Sequence, residues 1–279
     1  MKNALRRVVD SIPFCPVPVR LQCSSQGVVD FWWSKFTADI DISCAGMIYR
    51  GGENGDLEFI KRFLKSGMSF MDIGAFHGLY AVVAGRQVGP TGRVVLFEPS
   101  IAACRRARVN LLLNRVKADI ENAAVTDVSG EVSYHQVLHG FTTMGGLRPP
   151  PTKDPVQIRS VESKSLDDYC RANACDRIDL LKIDAEGAEL GVLSGGRYVL
   201  EKLRPTIICE ILDWVTEPWG YPARDIMTKL SECDYEWFDI DREGRLTRHV
   251  ARSEYCELCN YLAMPVERIG QAHDNLLNS

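Results

Sequence analysis

The sequence lacks the features that mark membrane proteins and nucleic-acid-binding proteins. No run among its 279 residues is long and apolar enough to span a bilayer, and its basic start lacks the apolar core of a signal peptide. A net charge of −4 gives no basic field to attract nucleic acid. We therefore expect neither a membrane nor a nucleic acid as a partner, and the 46% hydrophobic content is ample for a core.

Zinc-binding patterns are also missing, although the sequence has ten cysteines. Cys104 and Cys209 fall inside predicted core elements, where thiols behave as small hydrophobes. Cys256 and Cys259 form a single C-x-x-C, with no second pair or spaced histidine pair to complete a zinc site. We expect no metal there, and a reducing cytoplasm is the simplest localisation.

A third absence concerns phosphate-binding loops. The apolar run Ser69 to Ile73 predicts a buried strand, and Gly74 and Gly78 follow it before a predicted helix. This D-x-G-x-x-x-G pattern, which begins at Asp72, has neither the third glycine of a pyrophosphate site nor the G-K-[ST] of a P-loop. An acid before the turn would repel phosphate but suits a cation such as S-adenosylmethionine, which carries an ammonium and a sulfonium. The alternative is a purely structural strand–turn–helix corner.

The next predicted strand, Arg93 to Phe97, is followed by a second acid, Glu98. An acid about 20 residues beyond the first glycine, at the tip of the second strand, can accept two hydrogen bonds from a ribose diol. Pro99 stops the strand, and Ser100 is the predicted N-cap of a helix through Asn110. The alternative for Glu98 is an exposed charge at a strand end.

Beyond Glu98 the pattern alternates between strands and helices, which predicts a mostly parallel sheet covered on both faces. The predicted third, fourth and fifth strands are residues 118–125, 178–184 and 206–211, and the helix after the fourth continues to Leu203. Residues 245–250 and 258–264 are expected to supply an antiparallel edge. Before this fold, the prolines at residues 15–19 predict an extended linker.

Residues 138–155 show no periodic pattern and are long for a simple connection. They contain Gly140, Gly145 and Gly146, which supply freedom to move, and a run of three prolines, Pro149 to Pro151. Loops of this kind are usually lids or binding loops. We expect a lid that closes over the molecule that reacts with the bound cofactor, and the alternative is a disordered surface excursion.

Three blocks of the sequence resemble the FkbM family of S-adenosylmethionine-dependent methyltransferases. They are M-D-I-G-A-F-H-G at residues 71–78, L-F-E-P-S at 96–100, and S-L-D-D-Y at 165–169 followed by I-D-L-L-K-I-D-A-E-G-A-E at 178–189. The resemblance covers residues 53–211. It implies an α/β fold, the class I methyltransferase Rossmann-like fold, with a mostly parallel seven-stranded sheet and helices on both faces. It also implies methylation, usually at oxygen, of small molecules such as natural products and sugars.

The resemblance also implies cofactor-binding residues. Asn122 and Ala123 fall where the adenine is usually flanked, and Glu53 resembles an acid that commonly precedes the first helix. Phe76 and His77 replace the family's more usual Asn-Ile or Asn-Val, which leaves open what this turn contributes to the cofactor carboxylate. The residues expected to bind S-adenosyl-L-methionine are Glu53, Asp72, Gly74, Ala75, Phe76, His77, Gly78, Glu98, Pro99, Ser100, Asn122, Ala123 and Asp184.

The catalytic requirements depend on the acceptor. Methyl transfer is an in-line displacement at a sulfonium, so alignment is the main requirement. A hydroxyl acceptor also needs a base within hydrogen-bond reach, whereas a carboxylate acceptor needs none. The candidate bases are Asp184, Glu186, Glu210, His135 and His139. Each also has a structural explanation: Asp184 as an orienting group, Glu210 as the partner of a core cation and His135 as an ordinary strand residue. A diol would instead suit a divalent metal held by Asp184, Glu210 and Asp213.

These patterns predict an N-terminal extension near the cofactor cleft at residues 1–52, a methyltransferase domain at 53–265 with a lid at 138–155, and a tail at 266–279. The expected function is S-adenosylmethionine-dependent O-methylation of a small molecule. The alternatives are methylation of a carboxylate or nitrogen, an NAD-linked oxidoreductase, and a non-catalytic binding module on the same fold. The sequence leaves the oligomeric state open, a homodimer included.

Overall fold

The computed structural model describes residues 54–138, 142–257 and 260–270, with Asn54 and Leu113 as backbone only, and residues 16–24 and 27–34 as backbone. The chain begins there with two strands, β1 (Pro16–Ser24) and β2 (Gly27–Ser34), which pair antiparallel. The linker predicted at residues 15–19 is therefore a strand from Pro16 onward. Proline is tolerated in it because each strand of a two-stranded sheet has an outer edge whose N–H groups need no partner strand.

The rest of the described chain alternates strands with helices. The further strands are β3 (Ser69–Ile73), β4 (Arg93–Phe97), β5 (Asp119–Glu121), β6 (Ala124–Val125), β7 (Gly130–Val137), β8 (Val156–Lys164), β9 (Leu180–Ile183), β10 (Thr206–Glu210), β11 (Tyr235–Ile240), β12 (Leu246–Arg248) and β13 (Asn260–Pro265). The α-helices are α1 (Asn54–Phe63), α2 (Leu79–Val88), α3 (Ile101–Leu113), α4 (Leu166–Ala172), α5 (Glu189–Ser194), α6 (Asp213–Thr216), α7 (Arg224–Ser231) and α8 (Val266–Ile269).

The central sheet has eight strands in the order β12-β11-β13-β10-β9-β3-β4-β5. The five strands from β10 to β5 run parallel, and β13, β11 and β12 pair antiparallel beyond them. The predicted α/β fold with a mostly parallel sheet and an antiparallel edge is confirmed. The sheet has one strand more than the seven expected, because the short β12 pairs with the outer side of β11.

Helices cover both faces of this sheet, as predicted, because successive side chains of each buried strand point to opposite sides. In β3, Phe70 packs with residues of α1 and α2 on one face, whereas Met71 and Ile73 pack with residues of α4, α5 and α7 on the other. Ser100 caps α3 and accepts a hydrogen bond from the Ala103 amide, as its position predicts.

The predicted third strand at residues 118–125 is two strands in different sheets. β5 lies at the edge of the central sheet, whereas β6 joins β7 and β8 in a separate three-stranded sheet. The chain turns at Asn122, whose side-chain amide donates to the Glu98 and Pro99 carbonyl oxygens at 2.9 and 3.0 Å. These bonds tie the break between the two strands to the end of β4.

The helix predicted to continue to Leu203 ends at Ser194 instead. Gly195 follows, and a Cβ on it would lie 2.3 Å from the Thr126 carbonyl oxygen, so the chain approaches β6 too closely there for a larger residue. A π-helical turn, Val199–Leu203, resumes the helical path before β10.

The loop predicted at residues 138–155 is described at Leu138 and from Thr142 onward. It begins with a 3₁₀ turn, Thr142–Met144, and Gly146 then bridges to His135 of β7 through two backbone hydrogen bonds of 2.8 and 3.3 Å. The Leu138 amide donates to the Pro155 carbonyl oxygen at 2.9 Å and closes the loop at its base. The described part of the loop is therefore anchored on the β7–β8 hairpin.

No helix within the described ranges combines the length and the apolarity that crossing a bilayer requires. The buried thiols of Cys104, Cys170, Cys175 and Cys209 are free, in agreement with the prediction that cysteines serve as small core residues.

Candidate functional site

The turn after β3 is built on a backbone that only glycine fits. Gly74 has a φ of 76°, and a Cβ on it would lie 1.7 Å from the Asp184 carbonyl oxygen. The amides of Gly74 and Ala75 both donate to the Phe97 carbonyl oxygen at 3.0 Å, which binds the turn to the end of β4. The turn therefore sits in close contact with the ends of two neighbouring strands, β4 and β9.

Asp72 is fully buried at the end of β3. Neither carboxylate oxygen has a hydrogen-bond partner of normal geometry among the described residues. Burial raises the pKa of Asp72 to about 6, although Lys182, its register partner on β9, and the Ala81 amide offset part of that effect. A buried carboxylate without a partner is costly, so this side chain is suited to a ligand that brings a cation or hydrogen-bond donors.

Glu98 is also buried, but its oxygens are partly satisfied. The Phe76 amide donates to Oε2 at 2.9 Å and the Ser100 amide to Oε1 at 2.7 Å. Burial raises the pKa of Glu98 to about 7 in spite of these two bonds. A carboxylate has about four lone-pair sites, so Glu98 can clamp the glycine turn and still accept two further hydrogen bonds.

The residues that depart from the family's usual turn form a compact pair. The rings of Phe76 and His77 stack with centroids 3.7 Å apart, and Phe76 adopts a φ of 47°. Burial, together with the Arg106 charge, holds the pKa of His77 well below its usual value, so its ring is neutral near pH 7. The His77 carbonyl oxygen accepts a hydrogen bond of 2.7 Å from Asn110, which fixes the turn to α3.

A cation lies in the middle of these acids. Lys182 is buried on β9, and its Nζ lies 2.8 Å from Asp184 Oδ2 and 4.4 Å from the centre of the Tyr80 ring. The Tyr80 hydroxyl donates in turn to Asp56 at 3.1 Å, and the Asn260 side chain donates to the same oxygen at 2.7 Å. Lys182 and Asp56 are not among the predicted site residues. The sequence of an apolar strand does not show which residues of the neighbouring strand a lysine within it will face.

The turn after β9 is stabilised by Glu189, which is not among the predicted site residues. Glu189 is buried and accepts hydrogen bonds from the amides of Ala185 and Gly187 at 2.8 and 3.2 Å. These bonds fold the chain back so that Glu186, with a φ of 52°, projects from the turn. Burial and then the Asp184 carboxylate raise the pKa of Glu186 well above its usual value. Glu210, at the end of β10, has its pKa raised in the same direction by the same two causes.

We call these acids at the carboxyl edge of the sheet the acid cluster. Its members are Asp72, Glu98, Asp184, Glu186, Glu189 and Glu210. Lys182 compensates part of its charge through Asp184. The excess of negative charge favours a cationic ligand over a phosphate, in line with the absence of a phosphate-binding pattern in the sequence.

Asp213 does not join the acid cluster. Its carboxylate accepts hydrogen bonds from the amides of Ala223 and Tyr255 at 2.9 and 2.6 Å, so it holds two loops together. Among the described residues, no group of three or more acids, histidines and cysteines is arranged to hold a metal ion. The metal site considered at Asp184, Glu210 and Asp213 therefore has no support.

Other predicted site residues are placed less directly. Glu53, His139 and Cys259 lie outside the described residues. His135 belongs to β7, where its backbone pairs with Gly146, and Asn122 and Ala123 mark the break between β5 and β6. The predicted roles of these residues in binding or catalysis stay predictions.

A second group of residues forms a pocket beside the acid cluster, which we call the mouth pocket. It is lined by Met144, Gly146, Arg148, Pro149, Pro150, Pro151, Glu186, Trp214, Val215, Pro218 and Trp219. Glu186 thus belongs to both groups. The buried Tyr134 of β7 lies nearby, where a Cβ on Gly145 would be 2.3 Å from its hydroxyl. Tyr134, Arg148 and both tryptophans are not among the predicted site residues, although the glycines and the run of three prolines mark this loop as a candidate lid.

Comparison with known proteins identifies the family of the chain. The sequence model of the family described as "Methyltransferase FkbM domain" matches residues 72–237, more than half of the chain. The 2-O-methyltransferase NoeI of Sinorhizobium fredii is 30% identical over 157 residues, which are 52% of this chain and 63% of that protein. This chain therefore spans less than two thirds of the length of that relative.

Two solved structures are similar at low identity. The methyltransferase FkbM from Methylobacillus flagellatus has a TM-score of 0.47 and 15% identity, over 73% of this chain and 44% of that one. The O-methyltransferase from Bacillus cereus in complex with SAH has a TM-score of 0.42 and 12% identity, over 77% of this chain and 79% of that one.

Proposed function

The chain belongs to the FkbM family of S-adenosylmethionine-dependent methyltransferases, and we propose that it methylates an oxygen atom of a small molecule such as a natural product or a sugar. The observation that carries this proposal is the buried Asp72, whose carboxylate oxygens have no hydrogen-bond partner of normal geometry among the described residues. Ligands of open α/β sheets bind at the carboxyl ends of the strands, where this cluster lies. The 2-O-methyltransferase name of the relative supports oxygen as the methylated atom.

The residues at this edge fit S-adenosylmethionine, which supplies a methyl group on a positively charged sulfur. Asp72 and Asp184 offer carboxylates to its cationic methionine part, and Glu98 has lone pairs left for the ribose hydroxyls. Gly74 permits the tight turn that brings the ends of β3 and β9 together beside Asp72 and Asp184. Asn122 and Ala123 extend the site from Glu98 toward the adenine.

Glu186 is the candidate general base that the geometry favours. It lines the mouth pocket and interacts electrostatically with both Asp184 and Glu98, so it stands between the proposed cofactor and acceptor positions. Its raised pKa makes it a stronger base once it is ionised, and a cation bound beside it lowers that pKa and favours the ionised form. Asp184, paired with Lys182, is then an orienting group.

Calorimetry with S-adenosylmethionine and S-adenosylhomocysteine tests the cofactor half of the proposal. We expect both to bind, because the site supplies carboxylates and no phosphate cradle. Binding of NAD with no binding of either of these two ligands would contradict the proposal and favour an oxidoreductase.

Methyl transfer by variants tests the catalytic half, measured against a panel of sugars, phenols and carboxylates. Glu186→Gln removes a base without changing the side-chain volume, and we expect turnover to fall about 100-fold. Cofactor affinity should be nearly unchanged, and the alkaline rise of the pH–rate profile should disappear. The exposed Glu217→Gln is the matched control.

Asp184→Asn distinguishes the orienting role from the catalytic one. It leaves Lys182 without its carboxylate, so we expect weaker cofactor binding together with slower turnover. Wild-type kinetics in this variant would remove Asp184 from the site.

We also propose that the protein works in a reducing compartment such as the cytoplasm. The free thiols of Cys104, Cys170, Cys175 and Cys209 are buried among core side chains, where oxidation would disturb packing.

A further inference from the structure

The mouth pocket contains a cation that the proposed reaction does not require. Arg148 lies in the loop at residues 138–155, and its guanidinium carbon is 5.0 Å from the centre of the Trp219 ring. Trp219 is itself held in place, because its Nε1–H donates to the Glu186 carbonyl oxygen at 3.2 Å. The arginine is therefore positioned by a ring that is hydrogen-bonded to the turn that carries the candidate base.

The guanidinium of Arg148 has capacity left for a ligand. Within the described ranges it forms no ion pair with a carboxylate, and it makes a cation–π contact with the Trp219 ring. Stacking on an indole uses the flat face of a guanidinium, whereas the N–H groups point outward in its plane. These N–H groups match the two oxygens of a carboxylate or the oxygens of a phosphate.

Charge is distributed unevenly between the two ends of the site. The inner end holds the acid cluster with Lys182, so it repels an anion, whereas the pocket holds Arg148. A molecule with a hydroxyl at one end and an anionic group at the other would be oriented by this difference. Its anion would pair with Arg148 and its hydroxyl would point toward Glu186.

Resting on the proposed function, we infer that the mouth pocket binds an acceptor carrying an oxyanion group, a carboxylate or a phosphate, which Arg148 holds while the hydroxyl faces Glu186. Trp214 and the prolines supply apolar contacts for the body of such a molecule. The competing explanation is that Arg148 only fastens the loop to Trp219.

Nuclear magnetic resonance can separate the two explanations. The protein, labelled with ¹⁵N and saturated with S-adenosylhomocysteine, is titrated with 4-hydroxybenzoate, the neutral 4-hydroxybenzamide and 4-hydroxyphenyl phosphate. The indole N–H signal of Trp219, assigned through Trp219→Phe, reports on the pocket. We expect at least one anionic probe to bind at least tenfold more tightly than the amide, which corresponds to about 1.4 kcal/mol. The better of the two anions identifies the oxyanion class.

Substitutions show whether Arg148 is the cause. Arg148→Gln should abolish the preference for the anion, and Arg148→Lys should restore part of it, because lysine keeps the charge but loses the planar fork. Lys153→Gln is the matched control, since this exposed lysine lies on the same loop and does not line the pocket. Unchanged preference in Arg148→Gln, or no preference for either anion in the wild type, would overturn the inference.

The proposed function can fail separately from this inference. Calorimetric binding of S-adenosylhomocysteine does not involve Arg148, so its absence in the wild type would contradict the proposed function. Intact cofactor binding with no anion preference would contradict the acceptor inference alone.

Discussion

The acid cluster and the mouth pocket are neighbours that are built in opposite ways. Asp72, Glu98 and Glu189 of the acid cluster are buried, and backbone amides hold Glu98 and Glu189 in place. The pocket is lined mostly by half-exposed and exposed side chains, among them Arg148 and Trp214, on three separate stretches of chain. The acid cluster is thus held in place before any ligand binds. The shape of the mouth pocket depends instead on a loop whose Arg148 stacks on Trp219.

The two regions should therefore differ in their tolerance to substitution. A side chain fixed by backbone hydrogen bonds within a sheet cannot shift without moving the strands, so changes there should affect both fold and cofactor binding. A stacked arginine on a loop can be lost at little cost to stability. Changes in the pocket should therefore alter acceptor recognition and little else.

The largest effect should come from Gly74→Ala. The added Cβ would collide with the Asp184 carbonyl oxygen at 1.7 Å, and the φ of 76° is unfavourable for alanine. We expect a loss of unfolding free energy on the order of 4 kcal/mol, with loss of cofactor binding, because strand ends β3 and β9 must separate. Thermal unfolding and calorimetry measure both effects.

Gly270→Ala is the control for that substitution, since a Cβ on Gly270 meets nothing within 4 Å. Near-normal stability of Gly74→Ala would show that the acid cluster is not as rigid as its contacts indicate.

The second effect is a dependence of stability on pH in the ligand-free protein. Asp72 has its pKa raised by burial to about 6, and Glu98 and Glu189 have theirs raised by burial to about 7. The folded state therefore holds protons that the unfolded state has released between about pH 4 and pH 7, and stability must fall as pH rises through this window. We expect a total loss on the order of 3 kcal/mol, since the acids are coupled and titrate as a group.

Thermal unfolding at pH 5 and pH 8 checks this expectation. Asp72→Asn should reduce the pH dependence, and saturating S-adenosylmethionine should reduce it further, because a bound cation lowers the pKa of nearby acids. A ligand-free protein that gains stability from pH 5 to pH 8 would contradict the account.

Glu98→Gln should have a smaller and more selective effect. It keeps the size of the side chain but replaces one carboxylate oxygen with an amide donor, so it loses charge-assisted hydrogen bonds worth roughly 1.5–3 kcal/mol each. We expect cofactor affinity to fall roughly 10-fold to 100-fold while the domain stays folded.

The exposed Glu232→Gln serves as the matched control, measured by the same calorimetry. An unchanged dissociation constant in Glu98→Gln would show that Glu98 only clamps the turn through Phe76 and Ser100.

The smallest effect should come from the loop. Replacing residues 141–147 with a Gly-Ser linker removes the Met144 side chain from the pocket and gives more conformational freedom to the backbone that bridges to His135. We expect the Michaelis constant for the acceptor to rise about tenfold, equivalent to about 1.4 kcal/mol, with cofactor affinity unchanged. Unaltered acceptor kinetics would leave the loop as a surface feature and not a lid.

The strand ends of the acid cluster could be predicted because they depend on short-range patterns. An apolar run of five residues followed by Gly74 predicts a buried strand and a turn, and the same reasoning places Glu98 and Asp184 at the ends of later strands. The parallel order of these strands then brings their carboxyl ends to one edge. No such pattern marks the break at Asn122, since it depends on contacts with distant chain. The end of α5 at Ser194 does have a local signal, because Gly195 and Gly196 follow it directly.

The α/β fold, the glycine turn and the acids at the strand ends can be predicted from local patterns, because each depends on a few consecutive residues. The protonation of those acids depends instead on how the strands pair. Asp72 is buried beside Lys182 because β3 and β9 pair in that register, and this placement, not the residue type, sets its pKa. Arg148 likewise meets Trp219 only after the loop has folded back, since a stacking contact between distant residues leaves no periodic signal in either stretch.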